Sequence, residues 1–298
     1  MDGNLPPQRR PPTRWRPPRL WRVLQLIARL VVGVTARLRV TGDVPDALRD
    51  GPLILAANHL NPFDPIVLAA ACRTRGVAPR IMATGGLFRA PLVGTVMRYC
   101  GHIRVDRRTA TVRRALDDAV EAVTAGAVVL VYPEGRMGLD PRMWPERGKT
   151  GTARLALTTG TTVVPVAHWG THEILPYSAP RRMPRPILRA LRRRPLIRVH
   201  FGAPVPLADL APQTAGAAVA ATDRIIEAIT TTLAPLRADE PDLPRYVDPT
   251  RPVEGTRVYV PRRRSPSAAL AQVDQDRLAG GPDPEQLAGR GDAPVGGA

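Results

Sequence analysis

Lysine is almost absent from this 298-residue chain, where Lys149 is the one lysine among 43 basic residues. Asparagine occurs only as Asn4, Asn58 and Asn61. Cys72 and Cys100 are the two cysteines, in no metal-ligand spacing and with nothing to favour a disulfide, so both are expected as reduced core thiols. Aromatic residues make up 4 % of the chain, too few for a surface that stacks nucleic-acid bases. No H-E-x-x-H, G-x-S-x-G or G-x-G-x-x-G occurs, which removes the usual zinc-protease, nucleophile-elbow and dinucleotide signatures. Gly148-Lys149-Thr150 has the ending of a phosphate-binding loop, but Met143 stands where that loop needs its first glycine. A signal peptide is not expected either, because the first apolar stretch follows a Pro/Arg arm and lacks a small-residue cleavage site.

What is abundant is arginine, and it is unevenly placed. Residues 1–39 carry nine Arg against one Asp, and residues 177–201 carry eight Arg and no acid. These two segments hold nearly all of the net charge of +17, which implies an anionic partner. Proline (34) and glycine (25) concentrate towards the ends, so residues 1–19 are expected as a disordered basic arm and 238–298 as a disordered Pro/Gly-rich tail. Between them, 20–237 is expected to form one domain. Residues 20–38 are helical in pattern, with Arg22, Gln25 and Arg29 as a narrow polar stripe on a broad apolar cylinder. A central Arg29 in a membrane-spanning helix costs roughly 2.5–3.5 kcal/mol. The expectation is therefore an amphipathic, membrane-associating helix lying in the interface, with Trp15 and Trp21 at headgroup level.

From residue 38 onwards, short β-branched runs alternate with helical patterns. Strands are predicted at 38–41, 53–57, 80–83, 102–105, 128–132, 163–167 and 197–201. Helices are predicted at 65–72, 88–99, 110–125, 151–159 and 215–234. Continuous apolar strands between amphipathic helices imply an α/β fold: a mainly parallel mixed sheet of about seven strands covered by helices.

The chemistry-bearing residues follow strand ends. Leu53–Ala57 runs into Asn58-His59-Leu60-Asn61-Pro62-Phe63-Asp64-Pro65. Ligands of parallel sheets collect at strand carboxyl ends, where His59 emerges. Asp64 before Pro65 is predicted to cap a helix, and its carboxylate can also fold back to fix the tautomer of His59. Read alone, a histidine and an aspartate five residues apart is a weak signal. Gly101-His102-Ile103-Arg104-Val105-Asp106-Arg107 ends a second strand, Tyr132-Pro133-Glu134-Gly135 a third, and Val164-Pro165-Val166 lies on a fourth.

In order and spacing, these blocks resemble N-H-x4-D, G-x-I-x-V-x-R, F-P-E-G-T-R-S and V-P-V of the glycerolipid acyltransferases, a family that includes enzymes acylating 1-acylglycerol 3-phosphate. The resemblance covers roughly residues 35–210. It implies that His59 is a general base oriented by Asp64, that a hydroxyl attacks a thioester directly, and that Arg107, Glu134 and Gly135 position a glycerol phosphate. Asn58, Asn61, Ile103, Pro133 and Pro165 are implied as supporting positions. The third block departs from the family pattern: Arg136 stands at the Thr position and Met137 at the Arg position. Arg136 and Lys149, the latter just before a predicted helix, are therefore further candidates for the phosphate.

By this resemblance the chain is expected to move a fatty acyl group from acyl-CoA or acyl carrier protein to 1-acylglycerol 3-phosphate, giving phosphatidic acid, with no cofactor and no metal. Glycerol 3-phosphate, another lysophospholipid or a glycolipid are alternative acceptors. The expected location is the cytoplasmic face of the plasma membrane, peripheral or monotopic, on an anionic surface. A basic nucleic-acid-binding protein is the rival class, disfavoured by the scarce aromatics and by basic segments that flank apolar ones.

Overall fold

The computed structural model describes residues 15–106, 111–179, 184–240 and 242–252. Arg107, most of the expected arm and most of the expected tail lie outside the described residues. Seven strands, β1 (Arg37–Gly42), β2 (Leu53–Ala57), β3 (Arg80–Thr84), β4 (Ile103–Val105), β5 (Val128–Val131), β6 (Val163–Trp169) and β7 (Leu196–Phe201), form one sheet in the order β1-β7-β6-β2-β5-β3-β4. The β6–β7 pair is antiparallel and the other neighbours are parallel. The sheet is thus mainly parallel and mixed, as the alternation of apolar runs and helical patterns implies.

Among the described residues eight α-helices accompany it: α1 (Arg19–Thr35), α2 (Asp64–Thr74), α3 (Gly85–Arg89), α4 (Pro91–Tyr99), α5 (Thr111–Thr124), α6 (Gly151–Thr159), α7 (Pro184–Arg193) and α8 (Ala217–Leu233). Both faces of the sheet are covered, as β2 illustrates. Leu53, Leu55 and Ala57 pack with residues of α1 and α2, whereas Ile54 and Ala56 pack with residues of α5, α6 and α8. Every residue of β2 is buried, the burial expected of a central parallel strand. The helix predicted over 88–99 is instead two, because Ala90 is extended before Pro91. Gly94 lets the second approach the first: a Cβ there would lie 2.1 Å from the Phe88 carbonyl oxygen. The arginine-rich α7 lies outside the predicted helices.

Helix α1 differs from its predicted pattern. Trp21, Gln25, Ala28, Val32 and Thr35 are buried, a three-to-four-residue spacing that makes one face. Gln25 therefore belongs to the inner face and not to a polar stripe, and its Nε2 donates to Val77 O at 3.0 Å. Trp21 is also buried, edge-on to the His102 ring at 4.5 Å, so it is not available to a headgroup layer. Yet Val23, Leu26, Ile27, Leu30, Val31 and Val34 remain exposed. Among the described residues no helix is long and apolar enough to cross a membrane.

The boundary expected at 238 falls inside packed structure. Glu240 accepts from Trp169 Nε1 at 3.1 Å, and Asp248 and Arg251 are buried. At the other end the Trp15 N–H donates to Ala125 O at 2.8 Å, so the packed chain begins within the expected arm.

Candidate active site

The loop after β2 is held by its two asparagines. Asn58, fully buried, donates through Nδ2 to His168 O at 3.0 Å and accepts the His168 N–H on Oδ1 at 2.9 Å. Asn61 accepts the Phe63 N–H at 2.9 Å and donates to Leu175 O at 2.7 Å. Each site requires a donor and an acceptor on one short side chain, which an amide supplies. That is a structural reason for asparagine where the chain otherwise avoids it.

This loop brings His59 Nδ1 to 2.9 Å from Asp64 Oδ2. The same oxygen accepts the Leu60 and Asn61 N–H groups at 2.6 and 2.8 Å. The expected helix cap is corrected here: Asp64 makes no side-chain bond to the amino end of α2, and its carboxylate turns back into the loop. Burial opposes the Asp64 anion, but His168, His59 and Thr171 outweigh it and hold the carboxyl below the usual range. His168 approaches Asp64 Oδ2 at 3.6 Å through Nε2. Burial lowers its own pKa, against the opposing pull of Asp64 and the Asn58 carbonyl. Its Nε2 carries the proton, because it lies 2.8 Å from the Asn58 carbonyl, which can only accept. The His59 ring stacks on Tyr132, with centroids 4.1 Å apart and planes at 19°. With Nδ1 engaged, Nε2 is the nitrogen of His59 left to receive a proton, and the adjacent carboxylate stabilises the resulting imidazolium.

Tyr132 to Lys149 makes the second wall. Glu134, implied by the resemblance to position a glycerol phosphate, is buried and accepts two backbone N–H groups. Oε1 accepts the His59 N–H at 3.1 Å and Oε2 the Glu146 N–H at 3.0 Å. Burial pushes its carboxyl up to about 8, with Glu146 and Asp64 adding to the rise and the two N–H groups opposing it. Glu134 thus braces the loop that carries His59. Gly138 N–H donates to His59 O at 2.8 Å, closing the two loops on each other. Gly135 has a φ of 69°, and a Cβ there would lie 3.0 Å from Lys149 Cδ, so the lysine side chain runs across it. The exposed Lys149 also donates its N–H to Pro133 O at 2.8 Å. Arg136 is exposed but committed: Nη2 lies 2.6 Å from Glu146 Oε2.

Of the remaining candidates, Ile103 is buried in β4 and Pro165 lies in β6 opposite Ala56. The structure brings together His59, Asp64, Asn58, Asn61, Glu134, Gly135, Arg136 and Lys149, while Arg107 lies outside the described residues. Tyr132, His168 against Asp64, Glu146 and Arg251 complete the site. Tyr132 opens the third sequence block and His168 follows the fourth by two residues, while Glu146 and Arg251 follow no local pattern. Among the described residues no group of three or more His, Cys, Asp or Glu is arranged to hold a metal ion.

Over part of its length the chain is similar to known proteins. The model of the family described as Acyltransferase matches residues 37–169. An uncharacterised protein of Mycobacterium tuberculosis is 30 % identical over 150 residues, covering 47 % of this chain and 39 % of that protein. The chloroplastic 1-acyl-sn-glycerol-3-phosphate acyltransferase of Brassica napus is 31 % identical over 130 residues, covering 43 % of this chain and 36 % of its own. The chain therefore spans less than half the length of these curated relatives. The crystal structure of the 1-acyl-sn-glycerophosphate acyltransferase of Thermotoga maritima is similar at a TM-score of 0.50 and 20 % identity, over 70 % of this chain and 78 % of that one, a likeness of fold.

Proposed function

We propose, from the match of residues 37–169 to the family described as Acyltransferase, that the chain transfers a fatty acyl group from a thioester to the hydroxyl of 1-acylglycerol 3-phosphate. The observation that carries this reading is the 2.9 Å contact of His59 with buried Asp64 at the carboxyl end of the central strand. His59 Nε2 takes the hydroxyl proton as the oxygen attacks the thioester carbonyl. The carbon–sulfur bond then breaks and the thiolate leaves with that proton, so no acyl-enzyme is formed. Asp64 stays ionised throughout and holds the imidazolium.

The donor is acyl-CoA or acyl carrier protein, and the product is phosphatidic acid. Lys149 and Arg136, on either side of Gly135, are the cations for the acceptor's phosphate, with Arg107 as a third. The exposed apolar residues of α1 and the arginines of α7 support a peripheral seat on an anionic membrane, at the cytoplasmic face of the plasma membrane. Met137 in the usual arginine slot and the pairing of Arg136 with Glu146 favour a second reading: the same chemistry on glycerol 3-phosphate, another lysophospholipid or a glycolipid.

The test is a product assay of the purified chain with acyl-CoA and acyl carrier protein donors against these acceptors, beside His59→Ala. Loss of a general base lowers the rate by roughly 10²–10⁴-fold. A folded His59→Ala chain that keeps more than about a tenth of the wild-type rate would overturn the assignment.

A further inference from the structure

The matched region ends at Trp169, yet a side chain far beyond it reaches the loop that carries His59. Arg251 is buried, and its Nη1 donates to Leu60 O at 3.3 Å while Nη2 donates to Gly138 O at 2.7 Å. Leu60 adjoins His59, and Gly138 donates its own N–H to His59 O. The guanidinium therefore closes a ring of contacts around the backbone of the histidine. Two carbonyls on separate loops, met by one planar fork, is a task an ammonium group cannot duplicate.

The segment that delivers Arg251 is itself seated. Asp248 is buried and accepts the Tyr177 N–H and the Thr250 N–H, the latter at 2.9 Å. Thr250 Oγ1 accepts the Ser178 N–H at 3.1 Å, and the Arg251 N–H returns to Asp248 O at 3.1 Å. Arg189 of α7 lies over the Tyr246 ring at 4.6 Å. The turn is thus anchored at several points before it presents Arg251.

We propose that Arg251 is a positioning residue for transfer: it ties the His59 loop to the loop after Glu134 and so sets where the base stands. This rests on the function proposed above. The base must meet a hydroxyl at hydrogen-bond reach, so a loop that slips by about 1 Å loses rate of order 10²-fold without a matching loss of binding.

The experiment compares full-length wild type, Arg251→Ala and Arg251→Lys by amide hydrogen exchange and by steady-state kinetics with oleoyl-CoA and 1-oleoylglycerol 3-phosphate. Exchange in peptides covering 58–64 and 134–140 is expected to quicken together by about 10-fold in Arg251→Ala, with β5 unchanged. Its kcat per folded molecule is expected to fall about 10- to 100-fold, with both KM values within roughly 3-fold and Arg251→Lys intermediate. A folded Arg251→Ala chain with wild-type kcat, or with wild-type exchange at 58–64, overturns the proposal. Should the Ala variant fail to fold, Arg251→Lys is judged by the same two criteria. If wild type acylates none of the acceptors, the functional reading falls, while the exchange data still decide whether Arg251 couples the loops.

Discussion

Asp64 makes three hydrogen bonds on one carboxylate oxygen, and none comes from the helix it begins. Replacing it therefore disturbs the loop before it disturbs α2. Asp64→Asn keeps the shape, but either its amide nitrogen faces two N–H donors or its neutral oxygen replaces an anion beside His59. We expect kcat to fall about 100-fold or more and stability to fall by roughly 1–3 kcal/mol, read by kinetics and by urea melts on the same samples. Loss of rate with no loss of stability would mean that the Leu60 and Asn61 contacts carry little. Arg136 poses a different question, because its guanidinium is shared with Glu146. Arg136→Thr restores the family residue and frees Glu146. If Arg136 binds phosphate, the acceptor's KM should rise about 10-fold for phosphorylated acceptors while the donor's KM holds. Unchanged preference between phosphorylated and phosphate-free acceptors would assign Arg136 to the Glu146 pair alone.

At the scale of elements, α1 and α7 form one neighbourhood. Arg37 Nε donates to Arg194 O at 3.2 Å, and Arg194 Nη2 donates to Gly33 O at 2.6 Å. The exposed side of α1, with Leu30 and Val34, thus adjoins a helix whose last turn carries Arg192 and Arg193. Apolar insertion and charge attraction respond to different probes. Arg192→Gln, Arg193→Gln and Arg194→Gln together should weaken flotation with anionic vesicles, by about 1 kcal/mol per arginine at low salt. Zwitterionic vesicles should be unaffected. Leu30→Ser with Val34→Ser should weaken binding to both kinds. Equal loss on both vesicle types from the arginine variant would remove α7 from the membrane-facing surface.

For the molecule as a whole, the buried titratable groups predict how stability follows pH. His102 is held down to about 4, first by burial and then by Arg80. His172 is held at about 3 by burial, with Arg251 and Arg237 reinforcing and Asp64 opposing. Both folded values lie below the unfolded histidine value, so their contribution is fully present above about pH 6.5 and is lost as pH falls towards 4 and 3. Glu134 acts in the opposite sense: its raised folded value contributes stability at low pH that is lost as pH rises through about 8. The histidine effect is therefore read as a difference between chains. His172→Phe keeps a ring against Trp169, 4.8 Å away, and removes the proton site. Relative to wild type it should gain up to about 1.4 kcal/mol per pH unit as urea melts move from pH 6.5 to 4. A constant difference across that range would show that His172 is protonated in the fold.

By itself the sequence determined the order of strands and most helices, because each is a local period imposed by backbone geometry. The pairing of His59 with Asp64 was legible only when the four blocks were read together, since their five-residue spacing alone is a weak signal. The tertiary structure decided everything that depends on which strands are neighbours. Asn58 meets His168 across 110 positions because β2 lies beside β6, and Glu134 meets the His59 N–H across 75 because β2 also lies beside β5. Glu134 therefore braces the His59 loop and the Glu146 backbone, contacts that no spacing encodes. Gln25 turned inward for a similar reason: the Val77 carbonyl that receives it comes from the end of another helix. Arg251 is the extreme, 191 positions from Leu60 and set in a stretch whose composition resembles a tail. Local periodicity reports how a segment is built, and only the packed sheet reports what that segment is built against.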